Sequence, residues 1–105
     1  MSGMFVRNTA FNQDLGMWNL NSLTHAIGMF SNSSALSDAN VQNILVGWSN
    51  NTNTNTGVNA NNLFGNRTMS IASYSSAKSA YDNLAAPVSS GGKEWDLTNA
   101  ITWVP

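Results

Sequence analysis

The chain repeats itself. Met4-Phe5 returns as Met29-Phe30, 25 residues further on, and the echo extends outward: Met1-Ser2-Gly3-Met4-Phe5 and Ala26-Ile27-Gly28-Met29-Phe30 place Gly, Met and Phe alike. Recurrence at this spacing is the signature of stacked coils. One coil cannot bury its own apolar face and needs a neighbour on either side. A chain that opens in mid-pattern and holds little more than one such coil reads as the end of a longer array.

Composition narrows the partners. Charged residues make up 9% of the sequence against 42% hydrophobic, with a net charge of −1, where an ordinary soluble domain is about 25% charged. Asn, Ser and Thr therefore supply the polar surface. Arg7, Arg67, Lys78 and Lys93 are too scattered to follow a phosphate backbone, which argues against nucleic acid as a partner. There is no cysteine, so packing alone must hold the fold. No apolar run reaches the ~20 residues needed to cross a bilayer, and the opening MSGMFVRN lacks the basic-then-apolar order of a secretion signal. Membrane insertion by this segment is not expected.

Local patterns divide the rest. Leu15 and Met17 on one face and Trp18 and Leu20 on the other predict an extended strand covered on both sides. Leu23, Ala26, Ile27 and Phe30 follow i, i+3, i+4, i+7 spacing behind Ser22 or Thr24, which predicts a short helical turn with those four facing inward. After the polar run Ser31–Ser37, Ser37 stands as the N-cap of a helix over 38–48 whose stripe is Val41, Ile44, Leu45 and Trp48. Ser49–Thr56 has no apolar member and predicts a mobile connection, followed by a short strand and turn over Gly57–Gly65. A second helix is predicted from Ser73 to Ala86, capped by Ser73 or Ser75, with Ala77, Ala80, Tyr81 and Leu84 on one face and Pro87 ending it. Beyond the turn Ser89–Gly92, Trp95, Leu97 and Asn99 alternate with Asp96 and Thr98, and Ile101, Trp103 and Val104 continue a strand that seals one end.

Several of these stretches, taken together, look like a known pattern. Met1–Phe5, Ala10-Phe11-Asn12-Gln13-Asp14-Leu15, Trp18-Asn19-Leu20-Asn21-Ser22-Leu23-Thr24 and Gly28-Met29-Phe30 resemble the repeat of the BspA-like leucine-rich-repeat surface proteins, the 25-residue-repeat lipoproteins of mycoplasmas. Leu36–Trp48 and Tyr74–Trp95 are similar to the module that often ends these arrays. Asn19 stands where the repeat usually has Asp, and His25-Ala26 where it has Asn-Met. The resemblance implies an α/β fold, a leucine-rich-repeat-like solenoid end over residues 1–35 closed by a small α/β capping module over 36–105. It also implies a non-enzymatic adhesion or display module, extracellular or on a cell surface, that binds protein or glycan. The rival reading is a virion structural protein, a capsid decoration or tail-fibre component, which would be released by lysis and need no export signal. Open coil ends make self-association a further expectation.

Chemistry is hard to find in the residues. Glu94 and Asp96 would share one face of a strand, a spacing within reach of glycoside hydrolysis, but paired like charges beside a turn are more often a solvated edge. His25 lies off the predicted stripe and reads as a solvated side chain. No Gly-x-Ser-x-Gly elbow occurs, Gly91-Gly92-Lys93 follows a helix instead of preceding one, and clustered Asp for calcium is missing. No catalytic residue, cofactor or metal is therefore expected. Of the four tryptophans, Trp18, Trp48 and Trp95 lie where the period points inward. Trp103 is the candidate exposed binding residue.

Overall fold

The computed structural model describes residues 15–18, 20–31 and 35–105. Its elements are α1 (Asp38–Asn50), β1 (Arg67–Ser70), α2 (Ser75–Ala85), a single 3-10 turn (Val88–Ser90) and β2 (Ile101–Val104). The class is α/β. β1 and β2 pair in parallel, with Arg67 opposite Ile101 and Ser70 opposite Val104. The Met4-Phe5 pair and the Phe11–Asp14 block lie outside the described residues.

Three stretches of chain, 24–31, 58–65 and 95–102, run side by side in the same direction. Single bridges join His25 to Asn59 and Asn59 to Asp96. The amide of Asn59 donates to Thr24 at 3.0 Å, and those of Ala26, Gly28 and Phe30 donate to Asn59, Asn61 and Leu63 at 2.8–3.0 Å. On the opposite side Ala60 and Asn62 donate to Asp96 and Thr98 at 2.9 and 2.8 Å, while Asp96 donates to Val58 at 2.9 Å. The middle stretch thus satisfies its backbone on both flanks.

Each stretch then makes the same turn. Met29, Leu63 and Ala100 donate to the carbonyls of Ala26, Ala60 and Leu97, and the residue before each donor, Gly28, Asn62 or Asn99, has φ of +62°, +58° or +58°. That left-handed position is open to Gly and, among L-residues, best tolerated by Asn. The residues on either side of the turn, from Ala26, Met29 and Phe30 through Ala60, Leu63 and Phe64 to Leu97, Ala100 and Ile101, are all buried. Phe30 stacks on Phe64 with ring centres 5.4 Å apart and planes 9° from parallel, and Trp48 lies 6.4 Å from Phe30 and 5.9 Å from Trp95.

The predicted helical turn over 23–30 does not form. The amides of Ala26, Gly28 and Phe30 go to the neighbouring stretch, and the positive φ at Gly28 forbids a helix. Leu23, Ala26 and Phe30 are buried as expected, but Ile27 is 41% exposed. The described part of the predicted strand is a turn: Trp18 donates to the Leu15 carbonyl, Leu15 and Leu20 are buried, and Met17 is 91% exposed.

α1 follows its prediction. Ser37 Oγ accepts from the Asn40 amide, and Val41, Ile44, Leu45 and Trp48 are fully buried. Serine does not cap α2: its N-cap is Tyr74, without a side-chain bond. The Ala77 amide donates instead to Gln42 Oε1 of α1, so the first helix satisfies the second.

Of Ser49–Thr56, predicted to be mobile, Ser49 and Asn50 continue α1 and 51–56 is wired into the core. Thr54 is 4% exposed, and its hydroxyl donates to the Trp48 carbonyl at 2.7 Å. The Asn55 amide and side chain donate to Leu20 and Leu23, and its carbonyl accepts from Trp95 Nε1. Asn and Thr here bond backbone that a mobile loop would leave to water.

One close approach fixes α1. A Cβ on Gly47 would sit 2.3 Å from the Gly16 carbonyl oxygen. Gly47→Ala is expected to cost about 1–3 kcal/mol and Ile44→Ala about 2–5 kcal/mol, both read from denaturant unfolding with unchanged slope.

Candidate functional site

The polar residues singled out in the sequence are each tied into local bonds. His25 is exposed, its Nδ1 3.0 Å from Thr24 Oγ1. Glu94, at φ +53°, accepts from the Val88 amide at 2.9 Å. Asp96 accepts from the Thr98 hydroxyl at 2.6 Å and the Thr98 amide at 3.0 Å, and these bonds hold its carboxyl below the ordinary carboxylate range. Asn59, at the matching place in the middle stretch, accepts from the Asn61 amide in the same way. These bonds are turn chemistry repeated along the fold.

Trp103 is half-buried on β2. Its ring meets Tyr81 edge-on at 5.4 Å, and Lys78 Nζ lies 5.8 Å from the centre of either ring and 2.6 Å from Asp82. Tyr81 donates its hydroxyl to the Leu97 carbonyl. Burial, with the charges of Asp82 and Asp96, raises its phenol above the ordinary range. The buried indole N–H of Trp103 meets no acceptor.

A concavity lies elsewhere. α1 and α2 pack side by side and leave an open groove of about 630 Å³ between them. One helix contributes Val46 and Ser49, the other Ser76, Ser79, Ala80 and Asn83, and Lys93 stands at the end. A smaller hollow of about 330 Å³ continues past Val46 and Ser76 to Gln42 and the exposed Met17. Ser49 donates to Asn83 Oδ1 at 2.6 Å, tying the helices together. Lys93 is fixed through its backbone, donating to the Asn83 carbonyl and accepting from the Gly57 amide. Among the described residues Arg67 pairs with Asp38 and Lys78 with Asp82, but no carboxylate pairs with Lys93. No group of three His, Cys, Asp or Glu side chains converges among the described residues, and none of their helices is long and apolar enough to cross a membrane.

A family model described as "Mycoplasma protein of unknown function, DUF285" matches residues 1–76. The chain belongs to this family. The DUF285 match carries through α1 and β1 and ends on the first two residues of α2, so one wall of the groove lies within it and most of the other beyond. No curated protein and no solved structure matches the chain.

Sequence reasoning passed over the groove in this DUF285 chain. Its signal was the back of α2, where Ser76, Ser79 and Asn83 recur at helical spacing opposite the buried Ala77 and Leu84.

Trp103→Phe keeps the ring against Tyr81 and removes the unmet donor, so the variant should melt at or above the parent temperature. Asp96 carries a lowered carboxyl pKa, so its stabilising share is present above the unfolded value near 3.9 and is lost as pH falls through the lower folded one. Asp96→Asn, which still offers an oxygen to the Thr98 amide, should therefore flatten that acid limb when unfolding is followed across pH.

Proposed function

We propose that this chain is the C-terminal end of a leucine-rich-repeat-like solenoid in a BspA-like surface protein, a non-enzymatic module for display and adhesion outside the cell. The observation that carries the reading is the side-by-side bonding of the three parallel stretches with one turn repeated in each. His25, Asn59 and Asp96 lie in register, Gly28, Asn62 and Asn99 share the left-handed place, and Phe30 stacks on Phe64. In this reading each stretch is one coil, with α1 and α2 crossing from coil to coil.

The last stretch favours a closing role. Trp95, Leu97, Ala100 and Ile101 are buried, while Asp96, Thr98, Asn99 and Thr102 face solvent. A polar outer face is what a terminal repeat needs to remain soluble. The sparse charge and the Asn-, Ser- and Thr-rich surface suit contact with neutral polar partners such as glycans or protein backbone.

The test is stability against length. A longer chain with further upstream repeats joined in register should melt hotter than the present one, because each added interface contributes its own nearest-neighbour term. Equal melting temperatures by calorimetry would refute the coil reading.

A further inference from the structure

We propose that the groove between α1 and α2 binds a saccharide carrying one carboxylate, a uronic acid unit within a glycan. The proposal deepens the adhesion reading by giving it a site and a ligand class.

Three features point to this chemistry. First, the walls offer Ser76 and Ser79, whose hydroxyls both donate and accept, beside the bonded pair of Ser49 and Asn83. Paired hydroxyls on a sugar ring ask for that combination. Second, the apolar area between them, from Val46 and Ala80, is small and aliphatic, a match for the C–H faces of a pyranose. Third, among the described residues that line the groove Lys93 alone is charged. Its backbone is held from two sides, and no carboxylate of the described residues neutralises it. A single acid group on an otherwise neutral ligand would complete it.

An extended peptide fits less well. The walls are helices whose backbone groups are already bonded within themselves, so no strand edge is offered to a peptide chain. No aromatic ring of the described residues lines the groove, and stacking from them therefore adds nothing. Affinity for a single site is then weak, on the order of millimolar. Display in many copies would raise it.

The experiment is an amide NMR titration of the whole chain with a hyaluronan tetrasaccharide, with neutral chitotetraose and sodium acetate at equal ionic strength as separate arms. The expected result is shifts confined to Ser49, Ser76, Ser79, Asn83 and Lys93, larger for the acidic sugar than for either control. Lys93→Gln leaves the melting temperature unchanged, weakens the acidic sugar about tenfold and leaves the neutral sugar alone.

Four results would overturn the proposal: no shifts at millimolar sugar; shifts centred on Tyr81 and Trp103; the same response to acetate as to the acidic sugar; or unaltered affinity in the Lys93→Gln protein. Any of them removes this site and leaves the adhesion reading to its own test of stability against repeat number.

Discussion

The architecture depends on the backbone of residues 55–63 being claimed from both sides. Leu20, Thr24, Ala26, Gly28 and Phe30 exchange hydrogen bonds with one flank of this stretch, and Lys93, Asp96 and Thr98 with the other. The stretch is rich in Asn and has few large apolar groups of its own, so burial alone would not hold it. Val58, Ala60, Leu63 and Phe64 go inside because the bonds on either flank fix which side chains face the core. The aromatic column of Phe30, Phe64, Trp48 and Trp95 then fills the space that the paired backbones enclose, and both buried tryptophans among these find a carbonyl for the indole N–H, Trp48 at Leu15 and Trp95 at Asn55.

What could be read from the sequence follows from how local each signal is. α1 was legible down to its cap, since Ser37, Asp38 and the stripe of Val41, Ile44, Leu45 and Trp48 are all set within one helix. The body of α2 was legible as well, but its cap was not, because Gln42 reaches it from another helix. The segment 23–30 misled because an extended run followed by a tight turn buries positions 23, 26 and 30, as a helix would. Only the partner strand at 58–63, invisible to a local window, decides between them. Ser49–Thr56 misled for a related reason: its composition is that of a mobile linker, but its first two residues continue α1 and the rest is held largely by bonds to Leu20, Leu23, Trp48 and Trp95.

The repeat was visible as Met-Phe recurring, yet a further echo went unread. Asn62-Leu63-Phe64 stands in the place of Gly28-Met29-Phe30, and Asn99-Ala100-Ile101 stands there again. The substitutions hide it from the eye but preserve the physics, a residue able to turn left-handed followed by two that enter the core. The inter-helix groove was hidden differently. The spacing of Ser76, Ser79 and Asn83 marks only the solvent side of one helix and does not show that α1 lies beside it, and Lys93 acquires its position from backbone bonds to Gly57 and Asn83.

The parallel arrangement has a kinetic corollary. No stretch can meet its partner until an entire helix has been threaded past, so Asn59 must find His25 across α1 and Asp96 must find Asn59 across α2. Contacts so far apart in sequence come late and slowly, since loop closure is unfavourable before any pairing offsets it. The molecule should consequently assemble in one concerted step, with neither helix holding its place until the chain on both sides of it has arrived.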